Sequence, residues 1–236
     1  MRFPGPATLA EGVEQIARHE GIVRGERRLG LVGAADVEEA ARPAPRLAVI
    51  LAADIVEYTR HMAEDETGTH ARVTAIRREI VEPYIARHEA RFVKGTGDGF
   101  LAEFWSATRA AWFAVEFQRA IRDWNARRRR GRPLQFRLGI NLGDVIAEGH
   151  DVIGHTVNVA VRLESLAEPG GVLVSYPVVA AIRDAGLRFE DVGELALKNL
   201  RETVRGYRVR PRPGTPARPR PGPARSALAL GHGRGP

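Results

Sequence analysis

The chain has no cysteine, and only two of its 36 basic residues are lysine. Without cysteine there is no disulfide framework, no thiolate metal site and no thiol nucleophile. No run approaches the roughly 18 consecutive apolar residues of a membrane-spanning helix. The N-terminus lacks the apolar core of a secretory signal, so a cytoplasmic location is the expectation. Acidic residues number 29 against the 36 basic ones, a net charge of +7. That excess is local. Arg210, Arg212, Arg218, Arg220, Arg225 and Arg234 fall in residues 210–236, which hold no Asp or Glu, so the first 209 residues carry only +1. A nearly neutral globular part argues against a DNA-binding fold. The remaining composition, 44% hydrophobic and 28% charged over 236 residues, is that of an ordinary globular protein.

The scarcity of lysine makes Lys94 and Lys198 informative. Either two lysines survive by chance among arginines, or these positions need a compact, flexible ammonium rather than a planar guanidinium.

Residues 1–45 form an N-terminal segment with a weak helical period, ending in the linker-like Ala41–Pro45; residues 46–209 read as the folded domain. Residues 210–236 read as a disordered Arg/Pro-rich tail. Within the domain, Leu47–Ala53 is a continuous apolar run, predicting a strand buried on both faces. Glu66–His88 has helical spacing. Arg91–Lys94 and Gly99–Phe104 are predicted strands around Gly95-Thr96-Gly97-Asp98, and Ala107–Arg129 a helix. Leu134–Asn141 and Asp144–Glu148 read as a hairpin across Leu142-Gly143. Val157–Ala167 is a predicted helix, Val172–Ser175 a strand and Val178–Ala185 a helix. Two strands near Phe189–Val192 and Val204–Val209 close the domain. This order, β-α-β-β-α-β plus a β-α extension, predicts an α+β fold with a ferredoxin-like core, helices on one face of one sheet.

In that topology the first strand and the strand entering the Gly97-Asp98-Gly99 turn run the same way. Asp54, ending the first strand, and Asp98, at the hairpin tip, therefore share one sheet edge. Singly, each suits a helix cap or a turn. Together they can hold a hard divalent cation through oxygen ligands, the coordination completed by substrate phosphates.

Five segments, in order, then resemble the catalytic domain of class III nucleotidyl cyclases, bacterial adenylate cyclases in particular. They are LAADIVEYTR (51–60), FVKGTGDGFLAEF (92–104), FRLGINLGDVI (136–146), DVIGHTVNVAVRLE (151–164) and LKNLRETVRGYRV (197–209). The resemblance implies conversion of ATP to 3′,5′-cyclic AMP and pyrophosphate with two divalent cations, Mg²⁺ or Mn²⁺. It implies that Asp54, Asp98 and the Ile55 carbonyl hold metal. Lys94 and Asp151 would select adenine, Asn158 would orient the ribose, and Arg162 would stabilise the transition state. Lys198 would contact phosphate. It further implies a homodimer, in which one copy supplies the metal aspartates and the other the Lys, Asp, Asn and Arg set.

The chemistry is consistent with those roles. Adenine offers an acceptor at N1 and a donor at N6, which suit an ammonium and a carboxylate; guanine reverses the pattern. Asn158 and Arg162, four apart on a helix, share a face. No side chain stands out as a general base; Asp54 and a water-mediated route both remain open.

The sequence departs from the resembling family at two positions where many relatives carry glycine, Glu57 and Asn199. Glu57 either points to solvent or places charge beside the triphosphate. Two other readings stand: a catalytically degenerate cyclase-like module that binds nucleotide or a partner, and a nucleic-acid binder acting through the tail. The seven histidines show no metal-ligand pairing, and His61, His70 and His88 are expected at the surface. Trp105, Trp112 and Trp124 are expected in the core or an interface. Arg127–Arg130 reads as a solvated helix end.

Overall fold

A computed structural model describes residues 44–128, 131–183, 185–198 and 202–213. The N-terminal segment, most of the C-terminal tail and Asn199 lie outside the described residues.

β1 (Arg46–Ile55) is the strand the apolar run predicts. Its residues alternate between two cores. Val49, Leu51, Ala53 and Ile55 enter one cluster, while Ala48, Ile50 and Ala52 enter another on the opposite face. After β1 come the short helix α1 (Tyr58–Glu64), α2 (Glu66–Ile76), a wide turn at Arg77–Val81 and α3 (Glu82–Arg87). The predicted helix over Glu66–His88 begins at Glu66 and ends at Arg87, but a π-type turn interrupts it. Asp65 caps α2, accepting from the Gly68 amide at 2.9 Å, and separates it from α1. Pro83 has no amide hydrogen to give the preceding turn, and the ladder widens into a π-type turn just before it.

β2 (Arg91–Gly95) and β3 (Gly99–Phe104) form a hairpin, and α4 (Ala107–Arg127) follows, capped by Ser106. The predicted hairpin across Leu142-Gly143 is absent. β4 (Phe136–Glu148) instead runs straight through, paired with β1 from Ile55↔Phe136 to Arg46↔Val145. A turn composition at Leu142-Gly143 yields to a long partner strand. The chain turns later, at Gly149, where φ is 57°, and returns as β5 (Asp151–Ile153). Then come α5 (His155–Leu166), β6 (Val172–Ser175), α6 (Tyr176–Ala181), β7 (Leu187–Ala196) and β8 (Thr203–Pro211). α6 begins two residues earlier than expected because Pro177 suits a first helical turn, and it ends earlier too.

The sheet order is β2-β3-β1-β4-β6-β8-β7, with β5 paired to β4. β3 and β4 flank β1, both antiparallel to it, which is the ferredoxin-like core. Helices lie on both faces, not on one. α4 packs on the Val49/Leu51 face through Phe113 and Phe117, and α5 packs on the other through Val157 and Ala160. The reason is at Gly139 of β4. A Cβ there would lie 2.1 Å from the Ala160 carbonyl oxygen and 2.2 Å from the Glu164 nitrogen, so only glycine lets α5 sit this close.

Trp112 and Trp124 are buried as expected, while Trp105 is 64% exposed, with the Arg46 guanidinium 5.3 Å from its ring centroid. His70 is exposed, but His61 and His88 are buried. His88 lies against α4, its Nε2 3.1 Å from Glu116 Oε2, and burial lowers its pKa. No helix among the described residues is long and apolar enough to cross a membrane.

Candidate functional site

The end of β1 and the tip of the β2–β3 hairpin meet as the topology requires. Asp54 is in register with Gly99, and the Ile55 amide donates to the Asp98 carbonyl at 3.1 Å. Gly99 permits the approach, since a Cβ there would lie 1.9 Å from the Ala53 carbonyl oxygen. Asp54 is mostly buried, and burial raises its pKa; the nearby Asp98 carboxylate adds to the rise. A hydrogen bond from Arg137 works against it.

Arg137 and Glu164 complete this corner, and neither was picked out from sequence. Arg137, opposite Asp54 on β4, places Nη2 2.8 Å from Asp54 Oδ2 and donates from Nη1 to the Ser165 carbonyl at 3.3 Å. Its Nε lies 3.4 Å from Glu164 Oε1, yet neither atom makes a hydrogen bond. Glu164 reaches inward from α5. Burial, with the Asp54 charge second, pushes its pKa up to about 7. The corner therefore holds three carboxyl groups and one guanidinium, an acid excess in a half-dry setting.

This donor set fits a hard cation. Asp54 and Asp98 offer two carboxylates close to each other at one sheet edge, oxygen ligands of the kind a hard cation takes. Among the described residues no three His, Cys, Asp or Glu side chains form a closed metal cage. Two aspartates and a backbone carbonyl would leave coordination positions for phosphate and water.

A second group gathers elsewhere. Lys94, on β2, places Nζ 2.5 Å from Asp151 Oδ2 at the start of β5. Asp151 Oδ1 accepts from the Val152 amide at 2.8 Å, and the Lys94 bond holds the Asp151 pKa below the usual carboxylate range. Arg91 steadies the same turn, donating to the His150 carbonyl at 2.8 Å. Both members of the Lys94–Asp151 pair remain substantially open to solvent. Asn158 and Arg162 lie on the outer side of α5, and neither side chain has a partner among the described residues. Lys198 is exposed beyond β7, also without one.

α5 thus divides the site. Glu164 faces Asp54, while Asn158 and Arg162 point away, since two residues further along a helix is roughly half a turn. No hydrogen bond or ion pair among the described residues joins Asp54 and Asp98 to Lys94, Asp151, Asn158, Arg162 or Lys198.

Glu57 is about half exposed and is also ion-paired. Its backbone is left-handed (φ 53°, ψ 36°), and its carboxylate lies 2.7 Å from Arg132 Nη2.

The profile of the family described as "Adenylate and Guanylate cyclase catalytic domain" matches residues 43–211. The chain belongs to this family. Within it, the chain is 41% identical over 160 residues to "Putative adenylate cyclase 3" of Rhizobium meliloti (strain 1021), covering 67% of this chain and 27% of that protein. The chain therefore spans about a quarter of that relative's length. The crystal structure of an adenylate/guanylate cyclase/hydrolase from Silicibacter pomeroyi superposes with a TM-score of 0.63 at 38% identity, covering 71% of this chain and 98% of that one. The adenylyl cyclase CyaB from P. aeruginosa has the same fold, with a TM-score of 0.61 at 22% identity, covering 71% and 95%. The match over residues 43–211 spans every residue singled out as a site candidate.

Proposed function

We propose that this cyclase domain converts ATP to 3′,5′-cyclic AMP and pyrophosphate, at sites shared between two copies of the chain. The observation that carries the substrate choice is the Lys94–Asp151 pair, 2.5 Å apart and open to solvent. Lys94 can donate to adenine N1 while Asp151 accepts from the N6 amino group. Guanine would set its O6 acceptor against the Asp151 carboxylate. That mismatch costs about 1–3 kcal/mol for an unmatched polar group.

The placement of side chains on α5 supports the two-copy reading. A nucleotide cannot touch the inner Glu164 side and the outer Asn158/Arg162 side of one helix at once, so a second copy would bring its outer face to the first copy's aspartates. Asp54, Asp98 and the Ile55 carbonyl would hold divalent cation. Bound there, it would supply charge to the phosphates and lower the pKa of the ribose 3′-hydroxyl. The 3′-hydroxyl gives up its proton, to Asp54 or through water, as its oxygen bonds to the α-phosphorus; the bond from that phosphorus to the α,β-bridging oxygen breaks, and pyrophosphate leaves with that electron pair. Asn158 would hold a ribose oxygen. Arg162 would meet the charge that grows on the phosphoryl oxygens. Arg137, already a cation at Asp54, is placed to turn toward the polyphosphate, and Lys198 would meet the leaving group.

Product analysis with Mn·ATP and with Mn·GTP tests the reading, with Asp54→Ala as control. The expected result is cyclic AMP from the wild type and none from the control. Cyclic GMP as the main product would overturn the adenine assignment. No cyclic nucleotide from either substrate would favour a degenerate nucleotide-binding module. A dilution series tests the assembly: specific activity is expected to fall as the pair dissociates, and constant activity in monomers would exclude shared sites.

A further inference from the structure

The turn that leaves β1 carries the sharpest local anomaly near the candidate site. Glu57 is one of two non-glycine residues with positive φ among the described residues. In that region a side chain is crowded by its own backbone, and such a residue persists where its surroundings hold it. The surroundings here are specific. Glu57 Oε2 is 2.7 Å from Arg132 Nη2, and Glu57 Oε1 is 3.8 Å from Arg60 Nη1. One residue earlier, the Val56 amide donates to the Gln135 carbonyl at 2.9 Å. The 131–135 segment is therefore fastened to the turn at two points, one by backbone and one by charge. It is fastened on its far side as well. Arg72 Nη1 donates to the Arg132 carbonyl at 2.8 Å, Arg72 Nη2 to Thr69 Oγ1 at 3.0 Å, and Thr69 Oγ1 to the His61 carbonyl at 2.9 Å.

Energy alone does not explain this arrangement. Both members of the Glu57–Arg132 pair are well exposed, at 47% and 39%, and exposed ion pairs add little to stability. Glycine would accept the same backbone angles without crowding. What the carboxylate adds, and glycine cannot, is a fixed distance between the turn and the 131–135 segment.

We propose that Glu57 is a positioning residue: its ion pair with Arg132 clamps the 131–135 segment onto the Asp54–Glu57 turn and so sets the shape of the turn that receives the triphosphate. The proposal rests on the nucleotide reading above. It makes the acidic side chain a part of substrate binding, where charge alone would make it an obstacle.

The test compares Glu57→Gly, Arg132→Ala, their double variant and the charge-swapped pair Glu57→Arg/Arg132→Glu in the full chain. KM for Mn·ATP is expected to rise about 3–10-fold in each single variant, with kcat within about twofold, as for loss of a positioning contact of modest energy. The Glu57→Gly/Arg132→Ala variant should be no worse than either single one, because both remove one contact. The swapped pair should return KM to within about twofold of wild type. Amide exchange at Val56 should speed up by about tenfold in both single variants, since its hydrogen bond to Gln135 loses its neighbour. The melting temperature of Glu57→Gly should not fall, because glycine relieves the crowded backbone.

A lower KM in Glu57→Gly would overturn the proposal, by showing that the carboxylate repels substrate. Unchanged KM together with unchanged Val56 exchange would overturn it as well, by showing that the side chain is idle. A swapped pair that stays as impaired as the single variants would also count against it. If the wild type forms no cyclic nucleotide, the functional reading fails, and the Val56 exchange result alone then decides the clamp.

Discussion

The two ends of β1 hold charged clusters of opposite design. At its start, the buried Glu103 carboxylate is shared by Arg46 and by Arg91, whose Nη2 lies 2.7 Å away. Burial alone would raise the Glu103 pKa, but the hydrogen bonds from Arg46 and Arg91 outweigh it and hold the carboxyl below its ordinary value. At the other end one guanidinium, Arg137, serves Asp54 and Glu164 together, and Asp98 lies close by. There the Asp54 and Glu164 carboxyl groups are raised, and Glu164 Oε1 and Arg137 Nε are left without hydrogen bonds. A cluster with cations to spare is finished and serves the fold. A cluster short of cations is unfinished, and it lies where a charged ligand would complete it.

The comparison can be broken at either end. The largest effect is expected at the finished one. Glu103→Ala leaves two guanidiniums facing an empty pocket and should destabilise the chain by roughly 3–5 kcal/mol, read from denaturant midpoints. A loss under about 1 kcal/mol would show the cluster to be ornamental. At the unfinished end, Asp54→Asn should cut cyclic AMP formation by about 10²–10³-fold or more. It should leave the denaturant midpoint unchanged or higher, because a raised, partly buried carboxylate opposes folding at neutral pH. Equal losses of stability from the two variants would erase the distinction.

The pH signatures should also be opposite. Glu164, raised from 4.5 to about 7, binds its proton more tightly when folded. Its contribution is therefore whole below about pH 4.5 and is lost as pH rises through 7, with a ceiling of roughly 3 kcal/mol. Glu103, held below its ordinary value, contributes above that value and loses its contribution as pH falls. Thermal melts in a metal chelator should show Glu164→Gln flattening the decline between about pH 5 and 8, while Glu103→Gln flattens the decline from about pH 5 downward. The smallest effect is expected outside β1. Asp151→Asn, whose amide can donate as well as accept, should relax the ATP over GTP preference by about tenfold. An unaltered preference would remove Asp151 from substrate selection.

What the sequence reveals about this corner follows from what a one-dimensional pattern can carry. β1 is legible because seven apolar residues in a row leave few alternatives to a strand covered on both faces. The meeting of Asp54 and Asp98 is legible because topology alone puts those two ends together. Arg137 is not, because its role depends on register with β1, and the Leu142-Gly143 pair imitates a turn within the very strand that sets that register. Glu164 left a faint trace: it continues the Val157–Ala160 stripe of α5, where a carboxylate is out of place. The two buried histidines were hidden for a similar reason. His61 lies on the short helix α1, which precedes the predicted helix start at Glu66, and His88 lies at the end of α3, where the partner that buries it, Glu116, comes from a distant helix.

The tight seat of α5 over Gly139 has a consequence for communication. A helix of 12 residues held at that range is a stiff rod, and Glu164 and Arg162 ride on it together. In the proposed pair of chains, one of these residues would belong to one reaction chamber and the other to its twin. Any slide of the rod on nucleotide entry would be felt at both, so the two chambers would fill with unequal affinities, and a Hill coefficient different from one would be the audible sign of it.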